Sequence, residues 1–413
     1  MPSPSVLRFG LFFDGTGNNL ANTSDAETTH IARLFKLYPN DHQHVGLYIE
    51  GIGTCDGEPD SRLAMATGAG DLGWETQVAQ ARLRLLARLK DWLERTAPEE
   101  GIRLELDLFG FSRGAACARH FANDVHAKGK SLLCALLRND PAARAALPTP
   151  QDAMGIRFIG LFDTVTAITQ LGTVPTVHLR ADLAQRIVHL VAADEHRDNF
   201  PLCSAGQYDL PLPGAHADLG GGYPPLMEER LLLTRPDRSF TARRQPLTGA
   251  PSYLRSAALL EQRKAQAPDY GFDHQVLAWP RNPNVGDPRI DEVQVYAALE
   301  GRREVSNALA WVYLEIMHQL ACAEGVALLP LPPAGYPAEL APMAAKLRAH
   351  AHAWAAGDNG DAQLSNAEQA LLYRRYIHHS SHWGRDGATP TSDLDSLYIH
   401  RPAPQGKRRI LRT

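Results

Sequence analysis

A serine between two glycines, in the order Gly110-Phe111-Ser112-Arg113-Gly114, is the pattern in this chain with the clearest chemical meaning. Alternating leucines precede it and a run of small residues follows, so the sequence predicts a strand, a sharp turn and a helix. This context is typical of a nucleophile elbow, which exposes the serine Oγ beside the free N–H groups of a helix N-terminus. A solvated serine in a glycine-rich turn is the alternative interpretation.

Two more residues complete a hydrolytic set in the chain order that such an elbow requires, which is Ser, then Asp or Glu, then His. Asp163 follows the apolar segment at residues 155–162, and His216 lies just before three consecutive glycines. We predict that Asp163 orients His216 and that His216 takes the proton of Ser112. Two alternatives remain open: Asp218 could be the acid instead, and Asp163 could cap the segment after its strand.

The turn DGTGNN, which begins at Asp14 after the first apolar segment, is the predicted second half of an oxyanion hole. The backbone N–H of Arg113, helped by one from Gly15 or Thr16, would stabilise the oxyanion. Asp14 leaves other interpretations open. It could ligate a cation together with Asp218, the loop could bind phosphate, or the segment could be a plain turn.

Three histidines, His378, His379 and His382, lie close together near the end of the chain. A metal site would require carboxylates or cysteines beside them in the fold, so a structural or pocket-lining role is the favoured interpretation. The five cysteines are odd in number and include no C-x-x-C pair, which predicts neither a zinc site nor a disulfide framework. We therefore expect no metal and no cofactor.

The elements that must position these groups alternate between strand and helix in the first half of the chain. Apolar segments predict strands at residues 6–13, 44–50 and 155–162, whereas residues 186–192 fit a strand or a helix. Residues 74–95 have one apolar face and predict a long helix. The alternation predicts an α/β fold, with an α/β-hydrolase-like, mostly parallel sheet flanked by helices.

The second half of the chain lacks this alternation. We expect a hydrolase core at residues 1–223, and a largely helical cap or insertion with a C-terminal region at residues 224–413, part of which could complete the core. Residues 224–300 are weakly periodic. Four helices are nevertheless predicted in this half, at residues 253–264, 304–320, 342–355 and 364–377.

The helix at residues 342–355 carries Met343, Leu347 and Trp354 on one face, and this face could dock on a membrane or pack on the core. We expect the cap to cover Ser112 and to form an apolar channel for acyl chains. The basic end of the chain, GKRRILRT, is interpreted as a terminal strand or tail and not as a binding site.

Composition excludes several classes of function. The net charge of −4 and the lack of a long block of like charge argue against nucleic acid as a partner. The chain contains no apolar run of about 18 residues and no basic segment followed by an apolar one, so neither a membrane span nor a signal peptide is predicted. The scattered cysteines indicate folding in a reducing cytosol.

Several motifs, taken in order, resemble the α/β-hydrolase domain of type VI secretion lipase effectors, and family 1 most of all. They are FFDGTGNN (12–19), YIEGIGT (48–54), GFSRGA (110–115), FIGLFDTV (158–165), ADEHRDNF (193–200), PGAHADLGGGY (213–223) and YIHHSSHW (376–383). The resemblance implies phospholipase A-type hydrolysis with Ser112, Asp163 and His216 as nucleophile, acid and base.

The same resemblance implies a setting for this activity. It implies synthesis in the cytoplasm, delivery by a secretion spike or tube protein to the periplasm of rival bacteria, a membrane phospholipid as substrate, and neutralisation by a cognate immunity protein. The first alternative is a soluble esterase, thioesterase or peptidase of the same fold. The second is a non-catalytic binding module on a hydrolase scaffold.

Overall fold

A parallel sheet forms the centre of the molecule. The computed structural model describes residues 5–20, 27–53, 73–96, 98, 101–127, 129–147, 149–166, 175–266, 270–281, 291–333, 335–384 and 398–412. The first seven strands are β1 (Ser5–Phe13), β2 (His44–Ile49), β3 (Ile102–Phe111), β4 (Met154–Phe162), β5 (Arg186–Ala192), β6 (Leu202–Ser204) and β7 (Asp209–Leu212). Six of them are parallel neighbours in the order β2-β1-β3-β4-β5-β7. The α/β prediction is confirmed, and residues 186–192 are a strand.

Helices cover the sheet on both faces. The first seven are α1 (His30–Leu37), α2 (Trp74–Thr96), α3 (Ser112–Val125), α4 (Leu132–Asn139), α5 (Pro141–Ala146), α6 (Pro150–Ala153) and α7 (His216–Gly220). The apolar face of α2 packs with α3 and α4 against one side of the sheet, as its periodicity predicts. Asp140 ends α4 and caps α5, since its carboxylate accepts from Ala142 and Ala143 N–H.

Residues 226–306 differ from the sequence prediction, because they form an antiparallel sheet and not a mainly helical insertion. The strands are β8 (Leu226–Leu232), β9 (Asp237–Ala242), β10 (Asp273–Arg281) and β11 (Glu292–Ser306), and the predicted helix is α8 (Pro251–Gln266). Buried ion pairs explain the missed strands. Glu229 bonds Arg303 at 2.7 Å and Arg230 bonds Glu300 at 2.6 Å, so charged residues occupy positions where a strand pattern shows apolar ones.

Three helices follow this sheet: α9 (Ala308–Ala323), α10 (Ala341–Ala355) and α11 (Asn366–Arg375). The predicted start of α9 is wrong, since residues 304–306 still belong to β11. Apolar residues of α9 and α10 pack with Phe12, Phe109 and Phe158 on the second face of the parallel sheet. These late helices therefore complete the core begun by the first half, while the boundary at residue 223 stays a prediction.

Two of the three residues of the predicted docking face of α10 are buried, and the third, Trp354, is partly buried against the same apolar cluster. Met343 is 1% exposed and Leu347 is fully buried in the same apolar cluster as α9. A membrane cannot reach these side chains, so the docking expectation is wrong and the core alternative holds. The helices that the structure describes include none that is both long and apolar enough to cross a bilayer.

The end of the chain returns to the core as a strand. β12 (Ile410–Arg412) pairs with β6 in parallel, in agreement with the predicted terminal strand. Among the described residues, the antiparallel sheet contacts residues 373–384 and α11. The expected cap and acyl channel over Ser112 stay a prediction.

Candidate active site

The nucleophile elbow predicted at Ser112 is present in the backbone. β3 ends at Phe111, α3 begins at Ser112, and Ser112 has a φ of 57°, which side-chain-bearing residues rarely adopt. The flanking glycines are required by close approach. A Cβ on Gly110 would lie 2.5 Å from Ala115 Cα, and one on Gly114 would lie 2.2 Å from the carbonyl oxygen of Asp14.

Sheet register brings Asp163 to the same edge as Ser112. Phe111 in β3 pairs with Phe162 in β4, so the next residue of each strand emerges at the same level. The backbone N–H of Val165 donates to the carbonyl oxygen of Ser112 at 3.3 Å, which joins the two turns directly. Asp163 also has a positive φ, 40°, and is fully buried.

His216 lies at the start of α7 and meets both groups. Its Nδ1–H donates to Asp163 Oδ2 at 2.7 Å. Its ring lies 4.6 Å from the ring of Phe111, the residue before the serine, and 5.0 Å from that of Phe200. The structure therefore places the predicted acid and base together, beside the elbow.

Burial and nearby charges set the protonation states that His216 requires to act as a base and that Asp163 requires to orient it. Burial lowers the pKa of His216, and its hydrogen bond to Asp163 offsets only part of this effect. Burial alone would raise the pKa of Asp163, but the charge and hydrogen bonds of Arg408, with those of His216, hold it well below its ordinary range. At neutral pH the imidazole is neutral and the carboxylate is ionised.

Arg408 is the site residue that the sequence analysis missed. Its Nη1 donates to Asp163 Oδ2 at 2.8 Å, and its Nη2 donates to Asp163 Oδ1 at 2.6 Å. The basic end of the chain was expected to be a terminal strand or tail, and the contact between Arg408 and Asp163 was not predicted. A buried carboxylate does require a partner, but 245 positions separate the two residues, so no local pattern identifies which cation supplies it.

Asp14 holds the loop after β1. Its carboxylate accepts from Tyr48 Oη at 2.6 Å, Thr29 Oγ1 at 2.7 Å and the backbone N–H of Gly15 at 2.6 Å. Burial raises the pKa of Asp14 to about 6. These bonds show Asp14 supporting the loop, and they commit the Gly15 N–H, so Thr16 is the better candidate for the second oxyanion donor.

Two polar groups near the elbow are buried without partners among the described residues. They are Thr16 Oγ1 and Arg113 Nη1. Arg113 directly follows Ser112, is 7% exposed, and burial lowers the pKa of its guanidinium to about 10. An uncompensated buried cation is unfavourable, so an anionic group bound beside it would be stabilised.

Asp218 belongs to a different pair. Its Oδ1 accepts from His378 Nδ1 at 2.6 Å, and its Oδ2 accepts from the backbone N–H groups of Ala215 and His378. The His378 ring stacks on Tyr223 at 3.7 Å. Asp218 therefore bonds His378 and not His216, which favours Asp163 as the partner of His216. A cation site shared by Asp218 and Asp14 stays a prediction.

The other two histidines of the cluster have separate neighbours. The backbone N–H of His379 donates to Glu229, and burial lowers the pKa of the His379 imidazole to about 3. The backbone N–H of His382 donates to the carbonyl oxygen of His400. Across the described part of the chain, no group of three or more His, Cys, Asp or Glu side chains is arranged to hold a metal ion.

Comparisons with known proteins address the fold and the elbow. The family model for the catalytic domain of Tle1-like phospholipase effectors of the type VI secretion system matches residues 8–135. A solved structure of the Tle1 effector bound to the VgrG spike has a TM-score of 0.77 and 24% identity, covering 100% of this chain and 95% of that one. An uncharacterized protein from Pseudomonas aeruginosa has a TM-score of 0.47 and 18% identity, covering 90% and 53%. No curated protein matches the sequence.

The matched range contains the elbow and the Asp14 loop, whereas Asp163, His216 and Arg408 lie beyond it. The solved structure establishes the fold over the whole chain. The resemblance found in the sequence motifs is thereby confirmed over residues 8–135, which match the family model for the catalytic domain of Tle1-like phospholipase effectors of the type VI secretion system.

Proposed function

We propose that this protein is a phospholipase A-type serine hydrolase with Ser112 as nucleophile, His216 as base and Asp163 as acid. The observation that carries the proposal is the 2.7 Å bond between Asp163 and His216, beside a left-handed serine at a strand–helix turn. The Tle1-like catalytic domain supports lipid hydrolysis as the reaction.

The proposed reaction proceeds through an acyl-enzyme. His216 Nε2 removes the proton of Ser112 as Oγ attacks the ester carbonyl, and the N–H groups of Arg113 and Thr16 stabilise the oxyanion. The same proton then passes to the departing lysophospholipid oxygen. Water, activated by His216, hydrolyses the acyl-enzyme and releases the fatty acid.

The proposed substrate rests on the chemistry of Arg113, and the proposed carrier rests on the similarity to a solved effector. Arg113 directly follows Ser112 in the chain, and its buried Nη1 has no partner among the described residues, which suits a substrate that carries a phosphate. The solved Tle1 effector is bound to a VgrG spike, so we propose a spike protein as carrier for this chain too. Delivery to the periplasm of target bacteria and a cognate immunity protein complete the proposal.

The test compares Ser112→Ala with Ser256→Ala, because both serines are 6% exposed and Ser256 lies on α8, outside the candidate site. We expect Ser112→Ala to lower the hydrolysis rate of phosphatidylethanolamine–phosphatidylglycerol vesicles by about four orders of magnitude. We expect Ser256→Ala to keep wild-type activity. Mass analysis of the products identifies the ester cleaved.

A serine-directed phosphonate provides the second readout. It should label wild type and Ser256→Ala at Ser112, and should not label Ser112→Ala. Labelling of another serine would overturn the nucleophile assignment. Turnover of a short soluble ester without any turnover of vesicles would favour a soluble esterase over a phospholipase.

A further inference from the structure

We propose that Arg408 is a positioning residue for the acid of the proposed triad, and that docking of residues 398–412 is therefore required to assemble the Asp163–His216 pair. The inference rests on the proposed function. It concerns how the pair is held, because Arg408 bonds Asp163 and has no described contact with Ser112.

The geometry is that of a planar fork on a carboxylate. Arg408 reaches both oxygens of Asp163, and its Nη2 also donates to the carbonyl oxygen of Ala192 at 2.8 Å. The backbone N–H of Ala192 in turn donates to Asp163 Oδ1 at 2.9 Å. A ring of hydrogen bonds thus fixes the plane of the carboxylate, and Oδ2 is aimed at His216. Such bidentate pairing is specific to arginine, since lysine offers a point charge.

The segment that carries Arg408 is bound along residues 196–204. The backbone N–H of Ala403 donates to His196 O at 2.7 Å, that of Asp198 to Arg401 O at 2.9 Å, and that of Leu202 to Arg409 O at 2.9 Å. β12 then pairs with β6. These bonds hold Arg408 over the end of β4.

Two residues at and beside this stretch, Phe200 and Glu195, also contact His216. Phe200 lies against the imidazole ring, and Glu195 Oε2 accepts the backbone N–H of His216 at 3.2 Å. Docking of residues 398–412 therefore supports both partners of the pair: Asp163 directly through Arg408, and His216 indirectly through the adjoining residues 195–200. The proposed base is held in place by the last residues of the chain.

Charge gives the docking a measurable consequence. Without Arg408, burial favours the protonated form of Asp163, so the pair would take up a proton at a higher pH than in the wild type. The acid limb of the activity profile should move to higher pH. The ionisable groups that face the pair are Arg408 from the C-terminal segment, Glu195 and Arg197 from the loop after β5, His189 from β5 and Asp209 from β7.

The experiment uses the full chain and compares Arg408→Gln with Arg409→Gln. Arg409 is the matched control, because it is the next residue on the same segment, its side chain is 64% exposed, and it lies 3.9 Å from Asp198. The readout is kcat and KM for a short soluble ester across a pH series. We expect Arg408→Gln to lower kcat by about 10- to 100-fold with KM unchanged, as for other residues that orient a functional ligand. We expect Arg409→Gln to match wild type.

Two rescue variants separate positioning from a merely structural role. Arg408→Lys restores the charge without the fork, so the acid limb should return to its wild-type position while kcat stays reduced. Arg408→Ala leaves space for added guanidinium ion, which should restore part of the rate. Neither effect is expected if Arg408 only stabilises the fold.

Defined results would overturn the proposal. Equal kinetics in Arg408→Gln and Arg409→Gln would do so, and so would a reduced kcat with an unmoved acid limb and no response to guanidinium. If Arg408→Gln does not fold, judged by circular dichroism, Arg408→Lys decides: a folded variant with wild-type kcat contradicts the proposal. Persistent activity in Ser112→Ala would instead overturn the proposed function.

Discussion

The Asp163–His216 and Asp218–His378 pairs have nearly the same internal geometry and very different surroundings. The histidine Nδ1 lies 2.7 Å from the carboxylate in the first pair and 2.6 Å in the second. Both pairs are buried. An aspartate–histidine hydrogen bond is therefore not enough to identify a catalytic site in this protein.

The surroundings separate the two pairs. His216 lies beside the residue that precedes Ser112, and Asp163 is held by a guanidinium. The second imidazole is covered by Tyr223, and His378 Nε2 has no hydrogen-bond partner among the described residues.

The second pair has a structural task that its contacts make clear. The remaining carboxylate oxygen of Asp218 accepts two backbone N–H groups, one from the residue before α7 and one from His378 itself. The pair thereby ties the C-terminal stretch at residues 376–382 to the helix that begins with His216. We infer that it stabilises the site without taking part in proton transfer.

Asparagine substitution at Asp163 should have the largest effect. The asparagine of Asp163→Asn has a single acceptor oxygen, which cannot serve both Arg408 and His216. Its amide also allows the wrong imidazole tautomer, so we expect the rate of ester hydrolysis to fall by about 10⁴. Steady-state turnover of a short soluble ester, normalised to folded protein, measures it. A loss of less than tenfold would exclude Asp163 as the acid.

The same substitution in the second pair should act on stability. Asp218→Asn leaves one of three N–H donors to the carboxylate unsatisfied, and we expect the free energy of unfolding to fall by about 1–3 kcal/mol. Denaturant unfolding measures this change, and activity of the folded protein should stay within about tenfold of wild type. If Asp218→Asn abolished activity in folded protein, the roles of the two pairs would have to be exchanged.

The pH dependence should give the smallest and most specific effect. His216 must be neutral to accept a proton, and burial lowers its pKa below the ordinary 6.5. Activity should therefore fall as the pH drops, with the midpoint of this acid limb below pH 6.5. A kcat/KM profile on a soluble ester measures the midpoint. A midpoint at or above 6.5 would show that the base is not the buried His216 described here.

The sequence alone determined the local features of this protein. The glycines around Ser112, the strand before it and the small residues after it are short-range signals, because a sharp turn restricts which residues fit at each position. The strand–helix alternation predicted the parallel sheet, and the parallel sheet requires that Asp163 and the elbow emerge at one edge. Chain order, together with its position just before three consecutive glycines, then favoured His216 among the 17 histidines.

Tertiary structure decided what depends on distant partners. Charged residues can occupy inward-facing positions on β8 and β11 only because each forms an ion pair with a residue of the neighbouring strand. For this reason the apolar periodicity of the sequence did not predict the antiparallel sheet. The hydrogen bond from the Gly15 N–H to Asp14 favours Thr16 over Gly15 as the proposed second oxyanion donor.

Arg408 is the clearest case of a role set by the fold. It lies 245 positions from Asp163, and nothing near it in the sequence distinguishes it from its basic neighbours. Packing buries Arg408 and leaves Arg409 exposed, and a guanidinium acts strongly on a carboxylate only where water is excluded from both.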